Sequence, residues 1–185
     1  MVEDRAWKVL SQATLVDKHW LTLRQQHVRL PNGHEIEEFF HIEGPDWAAV
    51  LALTEESQLV LVRQYRHGIG QMSLELPAGV IDAGESGLQA AQRELLEETG
   101  YAAESWHALR IVATEPARHT TRAHLFVALG ARCVAPARPE SSELIELELM
   151  DLAAIAAAID RGAIVHGIHV AAILLAAQRG FLALS

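Results

Sequence analysis

The chain has 185 residues, of which 50% are hydrophobic and 21% charged, and its formal net charge is −9 at pH 7. This length allows a sizeable hydrophobic core, and the composition excludes an intrinsically disordered chain. The chain has 24 acidic and 15 basic residues, and this excess of acids argues against non-specific nucleic-acid binding through a broad basic face. We therefore expect no nucleic-acid partner.

The expected compartment follows from the cysteine count and the apolar segments. Cys133 is the single cysteine, so an intramolecular disulfide is excluded and a reducing compartment is the default. Met1 to Arg5 lacks the basic-then-apolar layout of a signal peptide. The most apolar stretch, Val170 to Ala177, is too short to cross a bilayer. We expect a cytoplasmic protein with no membrane partner.

Strand patterns dominate the first part of the chain. Trp20 to Arg29 and Glu35 to Ile42 are predicted to form a hairpin around Pro31-Asn32-Gly33, because Asn-Gly favours a tight turn. Trp47 to Leu53 and Leu59 to Tyr65 are apolar runs rich in β-forming residues, and a polar turn separates them. The sequence thus predicts two strand pairs in succession.

The next segment predicts a strand, a loop and a helix. Leu74-Glu75-Leu76 reads as the end of a strand that Pro77-Ala78-Gly79 breaks. Ser86 with Gln89 three residues later is typical of a capping box, and Gly100 suits the left-handed position that ends a helix. We expect this helix to have an apolar side formed by Leu88, Ala91, Leu95 and Leu96.

The last part of the chain predicts three strands and two helices. Strands are expected at Trp106 to Ala113, Ala123 to Leu129 and Leu144 to Leu149, and an exposed loop at Ala131 to Glu140. The helices are expected from a cap at Asp151 to about Asp160, and from Gly167 to Gln178 with Ile168, Ala171, Ala172 and Leu175 on one side. Strands on both sides of a central helix, followed by closing helices, predict an α/β (α+β) fold with a mixed sheet between helices.

A cluster of acids marks the central helix. Glu94, Glu97 and Glu98 stand at i, i+3 and i+4 and so share one helix face. Carboxylates this close repel one another unless cations neutralise them. Mg²⁺ binds through carboxylate oxygens, waters and substrate phosphates, and Mn²⁺ is the alternative. A solvated acidic helix with Arg93 as an ion-pair partner is the competing interpretation, but Glu85 in the preceding loop and glycines at both ends favour a metal site.

The same residues resemble the signature of the Nudix hydrolases. Gly79, Glu85, Arg93-Glu94, Glu97-Glu98 and Gly100 occur at the spacing of that signature without insertion. Tyr101 departs from it, since an aliphatic residue is more usual there. The resemblance implies a Nudix α/β/α sandwich with a mixed central sheet, preceded by an N-terminal antiparallel β-hairpin extension.

Two further segments point to one branch of that family. Val62 to Arg66 and Glu75 to Gly79 resemble the ADP-ribose pyrophosphatases and nucleoside-diphosphate-sugar hydrolases. The resemblance implies a homodimer built by residues 1–45, with residues 46–185 as the Nudix hydrolase domain. It also implies Mg²⁺-dependent hydrolysis of ADP-ribose to AMP and ribose 5-phosphate, or of GDP-mannose. The alternatives are hydrolysis of non-standard nucleotides or dinucleoside polyphosphates, and a non-catalytic nucleotide-sugar sensor.

The resemblance also assigns site residues. It implies metal binding by Glu94, Glu98 and the Ala78 carbonyl, with Glu97 and Glu85 at a second metal or its waters, and Arg93 pairs with Glu85. The general base is expected in the loop before a late strand, where Glu143 is the first choice, Glu140 the second, and Glu97 or His119 the alternatives. The full metal set is Ala78, Glu85, Glu94, Glu97, Glu98 and Glu143.

Substrate contacts have weaker sequence support. Arg63 and Arg66 are candidates for phosphate binding, against a solvated strand end. Trp20 and Trp47 are candidates for stacking on the base, against simple packing. The loop from Thr114 to Arg122 lacks the Ser-Pro-Gly element typical of ADP-ribose hydrolases, so its Arg118 and His119 are candidates for altered sugar recognition. His166 and His169 lack a third zinc ligand, and we expect them at solvent or at an interface.

Overall fold

The computed structural model describes residues 5–184 and divides them into two compact units. One unit contains the residues up to Pro45 together with Ala113–Arg122, and the other contains Asp46–Val112 and the residues from Ala123 onward. Across residues 5–184, no helix has both the length and the apolar character needed to cross a membrane.

The first unit is built on a three-stranded antiparallel sheet. Its strands are β1 (Lys8–Lys18), β2 (Leu21–Arg29) and β3 (Glu35–Glu43), with β2 in the centre. The predicted hairpin is confirmed: Gly33 has φ 85°, and the Asn32 side chain accepts a hydrogen bond from the backbone of His34 at 3.0 Å. Strand β1 was not predicted, because its side chains are almost all exposed and carry no alternating apolar pattern.

The second unit is built on an eight-stranded mixed sheet. Strands β11, β5, β4, β10 and β8 lie side by side in that order, while β6 pairs with β5, β7 with β4 and β9 with β10. The β4–β10 pair is parallel, whereas β4–β7, β5–β6 and β5–β11 are antiparallel. The strands are β4 (Trp47–Thr54), β5 (Gln58–Arg66), β6 (Gln71–Glu75), β7 (Ala78–Val80), β8 (Tyr101–Ala102), β9 (Ser105–Ala113), β10 (Arg122–Cys133) and β11 (Ile145–Asp151).

Helices cover both faces of this sheet. They are α1 (Gly87–Thr99), α2 (Leu152–Asp160) and α3 (Gly167–Gln178). Successive side chains of a strand point to opposite faces, and β4 shows this directly. Leu51 packs in the cluster that contains α2 and α3, whereas Val50 packs in the cluster that contains α1. The predicted α/β/α sandwich with a mixed sheet is confirmed.

The buried faces of two helices differ from the prediction. In α1, Leu88 and Leu96 are 37% and 41% exposed, while Glu94 and Glu98 are buried. In α3 the buried residues are His169, Ala172, Ile173 and Ala176, and the predicted Ile168, Ala171 and Leu175 are only partly buried. Ala91 and Leu95 of α1 and Ala172 of α3 are buried as predicted, but hydrophobicity alone did not predict the buried polar side chains of either helix.

The cap of α2 also differs from the prediction. Asp151 occupies the N-cap position but makes no side-chain capping bond. Its carboxylate instead accepts a hydrogen bond from the Gln58 side chain at 3.0 Å.

Candidate active site

The acidic helix α1 is positioned at both of its ends. The predicted capping box is present, with Ser86 and Gln89 each bonding the backbone of the other. Gly100 adopts φ 75° and donates its N–H to the carbonyl of Leu96 at 2.8 Å. A Cβ at Gly100 would lie 2.0 Å from the Ala135 carbonyl oxygen, so only glycine fits where the following chain crosses the helix end.

Strand β7 brings backbone against the acidic face of this helix. Ala78 pairs with Ala49 of β4, and the Pro77 carbonyl accepts a hydrogen bond from the backbone of Val50 at 3.0 Å. A Cβ at Gly79 would lie 2.0 Å from Oε1 of Glu94. The missing side chain at Gly79 therefore makes the room that the Glu94 carboxylate occupies.

Glu98 is the most deeply buried acid of the cluster. Glu98 is only 2% exposed, and its Oε2 accepts a hydrogen bond from the backbone N–H of Ala78 at 3.1 Å. The pKa of Glu98 is raised to about 9, mainly by burial; the charges of Glu94 and Glu143 act in the same direction, while the hydrogen bond from Ala78 and the charge of Arg66 oppose it. Without a cation, the site therefore disfavours the ionised form of Glu98.

Glu94 shows the same effect in weaker form. Burial raises the pKa of Glu94, and the charges of Glu143 and Glu97 act in the same direction. Arg93 opposes these effects through a hydrogen bond and its charge. Because the charge of Glu143 acts on both buried acids, the late loop brings a third carboxylate near the pair.

Arg93 holds the acids together. Its guanidinium donates to both carboxylate oxygens of Glu85 at 3.0 Å and to the Val80 carbonyl at 2.9 Å. It also donates to Glu94 at 2.6 Å and to Glu97 at 3.2 Å. The predicted Arg93–Glu85 pair is confirmed, and its hydrogen bonds lower the pKa of Glu85 and raise that of Arg93.

The donor set fits a divalent cation in its chemistry. Buried carboxylate oxygens are the ligands that Mg²⁺ and Mn²⁺ prefer, and the cradle at Gly79 holds one of them against backbone. With the side chains as they lie, residues 5–184 contain no group of three or more His, Cys, Asp or Glu able to hold a metal ion. Arg93 engages oxygens of Glu85, Glu94 and Glu97. Metal binding by the whole set would need some of these contacts to open.

A cleft of about 740 Å³ lies beside Ala78 and Gly79. Arg66 and Glu75 line it and form a two-bond ion pair, with distances of 2.9 and 2.6 Å. Glu75 is 1% exposed; burial acts to raise its pKa, but the hydrogen bond and charge of Arg66 outweigh this and lower it. A cleft of this size is in the range of small-molecule sites, roughly 300–1,000 Å³.

Sequence comparison identifies the family. Residues 44–171 match the NUDIX domain, and residues 7–42 match the nucleoside diphosphate sugar hydrolase N-terminal domain. The chain belongs to the Nudix family. The predicted class of enzyme, a Nudix pyrophosphohydrolase, is confirmed at this level.

Individual relatives agree with the family. The chain is 33% identical to the ADP-ribose pyrophosphatase of Mycobacterium tuberculosis over 176 residues, which cover 91% of this chain and 82% of the relative. It is 39% identical to the methanol dehydrogenase activator of Bacillus methanolicus over 108 residues, and this match spans only 58% of either protein. A solved structure described as an ADP compounds hydrolase shares the fold, with a TM-score of 0.82, 22% identity and coverage of 93% and 92% of the two chains.

The two strand arginines of this Nudix protein have different surroundings. Positions 63 and 66 are an odd number apart, so their side chains leave opposite faces of β5. Arg66 lines the cleft, whereas Arg63 pairs with Glu148 of β11 through an Nε–Oε2 contact of 3.0 Å. Only Arg66 is brought to the carboxylate cluster, since its charge also acts on Glu98.

The first two candidate bases lie in one turn. The backbone N–H of Glu143 donates to the Glu140 carbonyl at 2.9 Å, and the Glu143 carboxylate accepts from the backbone of Glu140 at 3.2 Å. Glu143 is partly buried and acts electrostatically on Glu94 and Glu98, whereas Glu140 is exposed. Glu97 is half-exposed and bonded to Arg93.

Three predicted substrate contacts belong to the other compact unit. Trp20 is 61% exposed and packs edge-on against His19 at 4.3 Å. His119 pairs with Glu115 at 2.9 Å, and the Arg118 carbonyl accepts from the backbone of Ile42. Their role in substrate binding stays a prediction.

The prediction for one of the two C-terminal histidines is wrong. His169 was expected at solvent or an interface, but it is 1% exposed and lines the cleft with His166 and Trp47. Trp47 contacts both imidazoles edge-on, at 5.5 and 5.7 Å between ring centres. The three-residue spacing of the two histidines predicted that they share one face of α3, but it did not show whether that face points to the cleft or to solvent. Glu75 was also missed as the partner of Arg66.

Proposed function

We propose that this Nudix protein hydrolyses the pyrophosphate bond of nucleoside-diphosphate sugars, with ADP-ribose as the first candidate and AMP and ribose 5-phosphate as products. The observation that carries the proposal is the buried pair Glu94 and Glu98, packed against Ala78 and Gly79 at the wall of a ligand-sized cleft. Two buried carboxylates side by side are unfavourable in a structural core, because their charges repel and lack water, whereas a bound cation would neutralise them. The ADP-ribose pyrophosphatase of M. tuberculosis, similar over 91% of this chain, supports the choice of substrate.

The proposal includes Mg²⁺, or Mn²⁺, at the acidic face of α1. Glu94, Glu98 and the carbonyl of Ala78 would hold it, with Glu85 and Glu97 as further ligands or as partners of its waters. When bound, the cation supplies positive charge that neutralises pyrophosphate oxygens and lowers the pKa of a coordinated water. Arg93 then has the structural task of keeping Glu85 in place, which its two 3.0 Å contacts already perform.

Arg66 is the proposed phosphate-binding cation of this chain. Its pair with Glu75 fixes the plane of the guanidinium at the cleft wall. A guanidinium fixed in this way loses little conformational freedom when it meets a phosphate. Arg63 is already paired with Glu148 outside the cleft lining, and we give it no role in binding substrate.

Glu143 is the proposed general base. A base must approach the water that attacks phosphorus, and Glu143 is the loop acid whose charge acts on Glu94, Glu98 and Arg66. Glu140, the second choice from sequence, is exposed and touches Glu143 through its backbone. In this scheme Glu143 removes a proton from the attacking water, whose oxygen forms the new bond to phosphorus as the bridging P–O bond breaks.

We also propose a homodimer in the cytoplasm, formed through the sheet of the first unit. Strand β1 is exposed along nearly its whole length, and the apolar side chains of Val9, Leu15 and Trp20 are open to solvent in the single chain. Exposed apolar side chains on one strand and in the turn that follows it are typical of an interaction surface. Contacts of Trp20, Arg118 and His119 with substrate would come from the second copy.

The test is a product assay over a substrate panel. Purified protein is incubated with ADP-ribose, ADP-glucose, GDP-mannose, diadenosine polyphosphates and nucleoside triphosphates, with Mg²⁺ or with EDTA, and products are identified by ³¹P NMR. We expect AMP and ribose 5-phosphate from ADP-ribose with Mg²⁺ and no turnover with EDTA. Hydrolysis restricted to triphosphates or polyphosphates would assign the protein to another Nudix branch. Tight binding of nucleotide sugars without any hydrolysis would indicate a sensor.

A further inference from the structure

His169 is a buried histidine for which the scheme above has no use. It lies on α3, is 1% exposed, and its ring lines the same cleft as Arg66 and Ala78. The His166 ring stacks on it, with 4.1 Å between ring centres and 14° between ring planes. The Trp47 ring lies at 64° to the His169 ring, with 5.7 Å between ring centres.

The contacts of His169 determine which nitrogen carries the proton. The backbone N–H of Leu76 donates to Nδ1 of His169 at 3.2 Å, so Nδ1 provides a lone pair; Oε2 of Glu75 lies 3.7 Å from Nδ1, beyond hydrogen-bond distance. Burial and the neighbouring His166 lower the pKa of His169 to about 3, with Arg66 acting in the same direction and Glu75 opposing. The ring is therefore neutral at physiological pH, and its single proton is on Nε2.

This Nε2–H has no partner within residues 5–184. A buried donor is almost always paired with protein, ligand or ordered water. Turning the ring over would place Cδ2 where Nδ1 lies and would therefore break the hydrogen bond from Leu76. The stacked His166 ring further limits reorientation. The Leu76 hydrogen bond and the His166 ring thus fix the direction of the Nε2–H, which itself makes no hydrogen bond within the described residues.

We propose that the Nε2–H of His169 donates a hydrogen bond to a sugar hydroxyl of the bound nucleotide, with His166 and Trp47 as the adjoining wall of a sugar subsite. This inference rests on the proposed function, since it concerns the substrate of the same cleft. A neutral donor beside aromatic rings matches the hydroxyl groups and C–H faces of a sugar. A phosphate would gain more from a cation, and Arg66 lines the same cleft.

Two substitutions separate the donor from the acceptor of this ring. His169→Asn keeps an oxygen near the position of Nδ1 for the N–H of Leu76 but removes Nε2. His169→Gln places an amide N–H near the position of Nε2. His107→Asn is the matched control, because His107 is exposed and lies outside the cleft lining.

Binding is measured by calorimetry in EDTA, so that no ligand is turned over. We expect His169→Asn to weaken ADP-ribose binding roughly 5- to 20-fold, as for loss of one buried hydrogen bond. Partial recovery is expected in His169→Gln, with inorganic pyrophosphate binding unchanged in every variant. Equal ADP-ribose affinity in wild type and His169→Asn would overturn the inference, and so would an equal loss of pyrophosphate binding.

A second measurement uses only the wild-type protein, so it does not depend on how the variants fold. The ¹H–¹⁵N signal of the His169 imidazole is followed by NMR with ADP-ribose, ribose 5-phosphate, ADP, 2′,3′-dideoxy-ADP and pyrophosphate. A shift with ribose 5-phosphate identifies the terminal sugar, and a shift with ADP that dideoxy-ADP fails to produce identifies the nucleoside ribose. An equal shift with pyrophosphate or dideoxy-ADP, or none with bound ADP-ribose, would refute the contact. Absence of ADP-ribose hydrolysis in the product assay with Mg²⁺ would instead remove the proposed function on which the inference rests.

Discussion

Replacing Glu98 by Gln should make the free energy of unfolding of the metal-free protein less dependent on pH. The buried acid has a pKa of about 9 in the folded chain, against 4.5 as the ordinary value. Between these values the folded state holds a proton that the unfolded state has lost, so the free energy of unfolding falls as pH rises. Glutamine has no such proton and can still accept the hydrogen bond from Ala78.

The size of the stability difference follows from the single proton that Glu98 retains in the folded state. The slope is about 1.4 kcal/mol per pH unit, so the wild type should lose about 3 kcal/mol relative to Glu98→Gln between pH 5.5 and 7.5. For a chain of this length each kcal/mol changes the melting temperature by roughly 2–4 °C. Comparing the two proteins cancels the opposite effect of the buried His169, whose lowered pKa favours the folded state as pH rises.

The assay is urea unfolding in EDTA at several pH values, followed by circular dichroism. Glu146→Gln serves as the control, since Glu146 is an exposed acid of β11 and should leave the slope unchanged. Mg²⁺ should stabilise the wild type at pH 7.5 and have a much smaller effect on Glu98→Gln. Parallel stability–pH curves for wild type and Glu98→Gln would refute the claim that the folded protein disfavours the ionised form of Glu98.

Three further predictions concern other parts of the second unit. Glu143→Gln should lower kcat for ADP-ribose by roughly two to four orders of magnitude with little change in melting temperature, whereas Glu146→Gln should retain wild-type turnover; equal turnover in both would exclude Glu143 as the base. Gly79→Ala should weaken Mn²⁺ binding and turnover at least 10-fold, because its Cβ would lie 2.0 Å from Glu94, and unchanged Mn²⁺ affinity in calorimetry would contradict that steric argument. Ser57→Gly should stabilise the protein by about 0.5 kcal/mol, since Ser57 has φ 62°, and a lower melting temperature would count against backbone strain there.

The elements that the sequence predicted well are those with a local cause. The capping box at Ser86, the left-handed glycine at the end of α1 and the Asn-Gly turn each depend on residues a few positions apart. The strands of the second unit were readable because their apolar runs are bounded by turn residues. Strand β1 had no such signal, because its partner β2 stabilises it through backbone pairing and not through an apolar face.

The chemistry of the site was predictable in composition but not in contacts. The acids of α1 could be named from their spacing, yet the burial of Glu94 and Glu98 beside the apolar Ala91 and Leu95 was not predicted. The pairing of Arg66 with Glu75, and the separation of Arg63 from the cleft, depend on which strands are neighbours. The place of His169 depends on how α3 is rotated about its axis. These properties arise from tertiary packing, which no short window of sequence contains.

Mn²⁺ binding, followed by electron paramagnetic resonance, tests the central claim most directly. Wild-type protein and the double variant Glu94→Gln/Glu98→Gln are titrated with Mn²⁺ at pH 7.5, with a surface substitution at the exposed Glu104 as the control. We predict saturable binding to wild type and control, and at least a 10-fold loss of affinity in the double variant, roughly 1.4 kcal/mol or more. Equal Mn²⁺ affinity in all three proteins would contradict the assignment of the metal to this helix.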